Sequence, residues 1–333
     1  MKIGNQSFLF NNVYIEETAT VTGPKEALGP LGSYYDYSFA DLHMNEESWE
    51  KAEQALLKEA IDILLRKTNY KDADIDMVIS GDLINQNVIT NYCLRDYNIP
   101  VLGIYGACST AILGALIGGI FVDSHNGRRV ISSTSSHYAD SERQYRNPTE
   151  YGGPKPETST STVSGASAAL ISSDGKIKLE GGTMGRVIDV GANNPFDMGS
   201  AMAPAAAMTL KAHFEDFKTK PSDYDLILTG DLSSVGKPIV REIPNNYGYN
   251  IEANHEDAGL MVYNPDDETV FAGGSGCACI GIVSFGYIYQ MLKRGKYKRV
   301  LLCGTGALLN PLIINQKETI PAIAHAIVLR SDM

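Results

Sequence analysis

The segment Asp76-Met-Val-Ile-Ser-Gly-Asp-Leu83 returns later in the chain as Asp225-Leu-Ile-Leu-Thr-Gly-Asp-Leu232, identical at four positions and conservative at the others. A second block, Gly103-Ile-Tyr-Gly-Ala-Cys108, is matched by Gly273-Gly-Ser-Gly-Cys-Ala278. Each second block is followed, after a helix-length stretch, by a basic pair and an apolar run, Arg128-Arg129-Val130 and Lys298-Arg299-Val300. Two blocks in the same order, about 150 and 170 residues apart, describe a duplicated strand–helix–strand unit with halves at residues 1–175 and 176–333. Alternating strands and helices build sheets covered by helices. A pseudo-twofold between the halves would stack the two central helices, beginning at Cys108 and Ala278, against each other. Sites in such folds lie beyond the carboxyl ends of the strands. The loops after Gly81, Gly103, Thr134, Thr229, Ala272 and Cys303 should therefore converge on one cleft.

The elements follow from periodicity. Phe8 to Ile15 reads as the first strand, and a polar, tyrosine-rich loop runs from Thr18 to Asp41. Trp49, Ala52, Leu56, Ala60 and Ile63 fall at helical spacing, which predicts an amphipathic helix over 48–68. The strand Met77 to Ser80 and a short helix near Ile89 to Tyr97 come next. Arg129 to Thr134 is a buried strand, Asn147 to Thr162 a loop, and Ser167 to Ser172 a strand. In the second half, Val187 to Val190 reads as a strand, Met198 to Phe217 as a helix and Asp225 to Thr229 as a strand. An irregular segment spans Ser233 to Glu268, before a helix from Ala278 to Arg294 and strands at Arg299 to Cys303 and Ala322 to Leu329.

No charged residue stands between Asp96 and Asp123. Pro100, Gly103 and Gly106 divide this run into a buried strand, Ile99 to Ile104, and a helix, Ser109 to Val122. Neither piece reaches the ~20 apolar residues of a membrane span. Cys108 sits where the turn meets the helix. There the unpaired N–H groups and the positive dipole end favour a thiolate, the form that acts as a nucleophile. A buried structural thiol is the alternative reading.

The net charge of −11 argues against nucleic acid and against unaided binding to anionic lipid. The five cysteines contain no C-x-x-C pair and no zinc spacing, so no metal site and no cofactor is expected, and a reducing compartment is the simplest inference. The sequence does not open on a basic segment followed by an apolar one, so a secretory signal is not expected.

The Ala107-Cys108-Ser109 turn at the start of a buried helix resembles the thiolase fold, in particular the β-ketoacyl synthase III branch. The resemblance implies an α/β thiolase-like fold of two duplicated βαβαβαββ halves, with stacked sheets and buried central helices in five α-β-α-β-α layers. Those enzymes also need a histidine after the first main strand of the second half and an asparagine before the second central helix. Here Gly230-Asp231-Leu232 and Gly273-Gly274-Ser275 stand in those places. Glycine offers no side-chain donor, and an ionised aspartate would repel an enolate.

Longer motifs cover the whole chain: Gly81 to Gln86, Ser135 to Tyr138, Glu142 to Arg146, Asp197 to Ala207 and Gly273 to Cys277. They resemble the stage V sporulation protein AD family. That resemblance implies a non-catalytic protein that binds dipicolinic acid (pyridine-2,6-dicarboxylate) or its calcium complex and supports its uptake into the developing spore. It implies a soluble, cytoplasmic-type protein held peripherally at the forespore inner membrane by the other stage V sporulation A-operon membrane proteins. Association as a homodimer is compatible with it. The binding residues expected on this basis are Cys108, a vestigial nucleophile position, with Ser109, Ser135, His137, Asp231, Gly274, Ser275 and Gly276. Arg143, Arg146 and Lys237 could supply positive charge. An acyl-CoA- or acyl-carrier-protein-dependent condensing enzyme or acyltransferase using Cys108 is the competing expectation.

Overall fold

The computed structural model describes residues 1–145 and 154–332. The first half contributes strands β1 (Tyr14–Thr22), β2 (Met77–Gly81), β3 (Val101–Gly103), β4 (Arg129–Ser136) and β5 (Gly165–Ser172). The second contributes β6 (Ile177–Thr183), β7 (Leu226–Thr229), β8 (His255–Asp257), β9 (Arg299–Ala307) and β10 (Ala322–Ser331). The order β1-β5-β4-β2-β3 in one half is repeated as β6-β10-β9-β7-β8 in the other, and β1 and β6 meet through a short antiparallel pairing of Ile15 with Ile177. β2 runs parallel to β3 and β4, as β7 does to β8 and β9.

The repeat extends to single hydrogen bonds. Asp76 Oδ2 accepts the backbone N–H groups of Arg128 and Arg129 at 2.7 and 2.8 Å. Asp225 Oδ2 accepts those of Lys298 and Arg299 at 2.6 and 2.9 Å. The aspartate that opens each repeated block thus fixes the start of the strand that follows the central helix.

Helix α1 (Trp49–Thr68) covers the outer face of the first sheet, and α3 (Met198–Phe217) covers that of the second. Ser48 and Asp197 cap them, accepting from Lys51 N and Ser200 N. Between the sheets lie α2 (Thr110–Asp123) and a continuous central helix of the second half, built from Cys277–Ile282, a π turn Val283–Ile288, and Tyr289–Lys293. Both place glycine where they touch sheet and each other: a Cβ on Gly281 would approach Ala111 Cβ at 3.5 Å, and one on Gly114 would meet Ser132 Oγ at 2.5 Å. The layers are therefore helix, sheet, paired central helices, sheet, helix, as the resemblance implied.

Four details differ from the sequence reading. β3 is an edge strand with β2 as its neighbour, and Val101 and Leu102 are exposed rather than buried. β1 continues to Thr22 through what reads as loop, because its small and β-branched residues Ala19 to Thr22 pack on both faces. The opening strand of the second half is Ile177–Thr183, while Val187 to Val190 makes one isolated bridge, Ile188 to Ala322. The segment after Ser233 is helical to Asn245, with Pro238 and Pro244 inside. Part of the predicted loop at Asn147 to Thr162 lies outside the described residues.

Candidate functional site

The strand-to-helix turn ahead of α2 is held by its own side chains. Ser109 Oγ donates to Gly106 O at 2.6 Å, Thr110 Oγ1 donates to Ala107 O at 2.6 Å, and Gly106 N–H donates to Thr110 Oγ1 at 3.1 Å. Ala107 takes φ +48°, uncommon for a residue with a Cβ. The second half presses on this turn so closely that a Cβ at Gly306 would stand 2.5 Å from Gly106 O. This wedging delivers Cys108 to the floor of a cleft between the halves.

Leu83, Tyr105 and Tyr145 wall the cleft on the first-half side, and Ser275, Gly276 and Leu309 on the other. Its volume is about 30 Å³, room for roughly one water molecule. The hydroxyls of Tyr105 and Tyr145 stand 3.4 Å apart, and Tyr145 also donates to Leu83 O.

Cys108 faces Asp231, which is wholly buried. Asp231 accepts from Thr305 Oγ1 at 2.6 Å and from Gly276 N–H at 3.2 Å. Burial raises its carboxyl to about 7, against the lowering pull of these donors. Burial, then the Asp231 charge and the Cys277 sulfur, push the Cys108 thiol well above its ordinary range. The expected thiolate is thus corrected. A helix end supplies roughly 0.3–2 kcal/mol, less than the cost of an unpaired buried charge beside a carboxylate.

The structure brings together Cys108, Asp231, Ser275 and Gly276, and places the other four expected residues elsewhere. Ser109 is spent on Gly106 O. Gly274 pairs with Ser161 and packs on Val163 and Tyr263. Ser135 points to the opposite face of β4, where its Oγ donates to Glu53 Oε1 at 2.7 Å, while its neighbour Ser136 faces the second central helix and accepts from Ala278 N–H. Strand alternation separates the two serines. His137 is fixed by Leu42 O at 2.8 Å and by Ala139 N–H at 3.1 Å, and it stacks on Trp49. Burial lowers its imidazole to about 4, so it is neutral at physiological pH and remote from Cys108's lining.

The cations are also engaged away from the cleft. Arg143 pairs with Glu50, and Lys237 pairs with Glu256 at 2.6 Å. Arg146 lies outside the described residues. Among the described residues lining the cleft, none is positively charged. The sequence reading missed Tyr105, Tyr145 and Met198 as wall residues. Tyr145 and Met198 nonetheless sit inside the idiosyncratic motifs Glu142 to Arg146 and Asp197 to Ala207, and that was the available signal.

A cysteine at the start of a buried central helix, between two sheets of repeated topology, defines a thiolase-like, condensing-enzyme type of fold. The 3-oxoacyl-[acyl-carrier-protein] synthase III of Aquifex aeolicus VF5 is similar over 98% of this chain and 100% of that one, with a TM-score of 0.56 at 15% identity. Cerulenin-bound OleA of Xanthomonas campestris is similar over 97% and 100%, with a TM-score of 0.62 at 13% identity. At such identities the likeness is one of fold. Residues 4–330 match the stage V sporulation protein AD family, and the chain belongs to it. It is 49% identical over 327 residues to the stage V sporulation protein AD of Bacillus subtilis (strain 168), covering 98% of this chain and 96% of the relative.

Proposed function

We propose that the Cys108 cleft binds dipicolinic acid as its calcium complex, without covalent chemistry, and that the protein supports the compound's uptake into the developing spore. One observation carries the non-catalytic reading: the thiol at the nucleophile position is buried and held neutral, facing the buried carboxyl of Asp231. Gly274 and Asp231 stand where a condensing enzyme needs asparagine and histidine, so neither enolate stabilisation nor proton relay has a side chain to perform it. The protein is then a binding module rather than an enzyme.

The charge balance favours the calcium complex over the free dianion. With Asp231 beneath the cleft and no cation on its described walls, two further carboxylates would meet repulsion. Bound calcium neutralises them and leaves the aromatic ring for the apolar walls. The ligand is larger than the closed cleft, so Tyr105 and Tyr145 part to admit it. Among the described residues no helix is long and apolar enough to cross a membrane. Attachment at the membrane would run through membrane-embedded partner proteins.

Calorimetry with dipicolinate, with and without calcium, tests the ligand. Binding that requires or tightens with calcium is expected, and absence of binding under both conditions contradicts the reading. The retained cysteine at a helix start favours the acyltransferase alternative, which intact-mass measurement after incubation with acyl-CoA resolves. No adduct is expected, and an acyl adduct on Cys108 would establish the alternative.

A further inference from the structure

The two-residue strand Ser161–Thr162 separates the Cys108 cleft from a second cavity of about 290 Å³, and Thr162 lines both. That volume is near the lower end of the roughly 300–1,000 Å³ of small-molecule sites. Glu26 lines this second cavity and is 2% exposed. Its Oε1 is fully occupied, accepting from Ser164 N–H at 3.0 Å and from the Tyr263 hydroxyl at 2.6 Å. Its Oε2 has no partner among the described residues, although it is buried. A buried carboxyl oxygen left unsatisfied on a residue that lines a cavity calls for a donor from outside the chain.

A positive charge lines the same cavity. Lys25, 36% exposed through its side chain, reaches Thr269 Oγ1 at 2.6 Å and Asp267 at 3.4 Å. Hydroxyl-bearing Ser161, Ser164 and Tyr138 also line it, with Pro24 and Leu42 as apolar wall.

We propose that this cavity binds a small zwitterion of amino-acid size, its ammonium group on Glu26 Oε2 and its carboxylate toward Lys25. An ammonium brings several donors to an oxygen that has none, and the charge-assisted bond forms where water is largely excluded. The titratable groups facing Glu26 are Tyr263, Tyr35 and Cys279, which are neutral, and Lys25. Burial raises the Glu26 carboxyl above its ordinary range, against the lowering pull of Tyr263, Ser164 and Lys25, and an ammonium on Oε2 would favour its ionised form. The inference stands independently of the dipicolinate reading.

Calorimetry on the full chain with glycine, L-serine and β-alanine tests it. Ethylamine and acetate serve as single-charge probes. A zwitterion should bind at least tenfold more tightly than either single-charge probe. Glu26→Gln, which keeps the acceptor for Ser164 and Tyr263, should weaken binding tenfold or more, and Lys25→Met should weaken it less. If no amino acid binds at millimolar concentration, or if folded Glu26→Gln binds one as tightly as the parent, the assignment is overturned.

Discussion

The thiol of Cys108, from the first half of the chain, faces the buried carboxyl of Asp231, from the second. The pair sits where the two repeats were laid against each other, and it turns an exposed nucleophile position into a neutral, buried floor. The thiol should accordingly be unreactive. Alkylation of Cys108 by iodoacetamide near pH 8 should run more than tenfold slower than that of a free thiol, and Asp231→Asn should speed it several-fold by removing the like charge. Mass-resolved alkylation rates check this. Fast labelling of the parent protein would mean that the thiolate forms after all.

The duplication predicts paired energetic effects. Asp76→Ala and Asp225→Ala each strip two backbone N–H groups of their acceptor, and each should cost about 1–3 kcal/mol. Urea denaturation of the two variants should give similar losses. A large effect at one site and none at the other would break the equivalence.

Stability should fall with rising pH near neutrality. Glu53 and Asp140, both buried beneath β4, are in contact; burial and mutual repulsion push Glu53 up, and burial pushes Asp140 up to about 7. The folded state holds its protons to higher pH than the unfolded chain. The stabilisation is therefore complete below about pH 4, where the unfolded carboxyls titrate, and is lost as pH rises through about 7. Glu53→Gln should flatten the decline in denaturation midpoint. A parent protein whose stability climbs across that window would contradict the assignment.

Much of this was legible beforehand, for identifiable reasons. The repeated Gly-Asp-Leu blocks and the Gly/Ala-rich run gave away the two halves and the buried helices, because both are demanded by the backbone. Cys108, Asp231, Ser275 and Gly276 come together because the segments after β3 and β7 and the one entering the second central helix meet where the halves abut. Ser135 and His137 do not join them: a one-residue step along β4 decides which face a side chain takes, and only packing against Glu53 and Trp49 fixes it. The neutrality of the thiol was equally illegible, since it depends on burial and on a carboxylate distant in sequence.

The two tyrosines over the cleft should set the entry rate. Tyr145→Phe removes the hydroxyl that ties Leu83 O and Tyr105 together. Stopped-flow measurement should show dipicolinate association several-fold faster in this variant. An unchanged rate would mean that the ligand enters by another route.

Dipicolinate affinity across Cys108→Ser and Cys108→Trp tests the central claim most directly. The serine variant keeps the size of the floor and a donor facing Asp231, so calorimetry in the presence of calcium should find affinity within a few-fold of the parent. The tryptophan variant fills the cleft and should abolish binding while the protein remains folded by circular dichroism. If the folded tryptophan variant binds like the parent, the ligand does not occupy the Cys108 cleft.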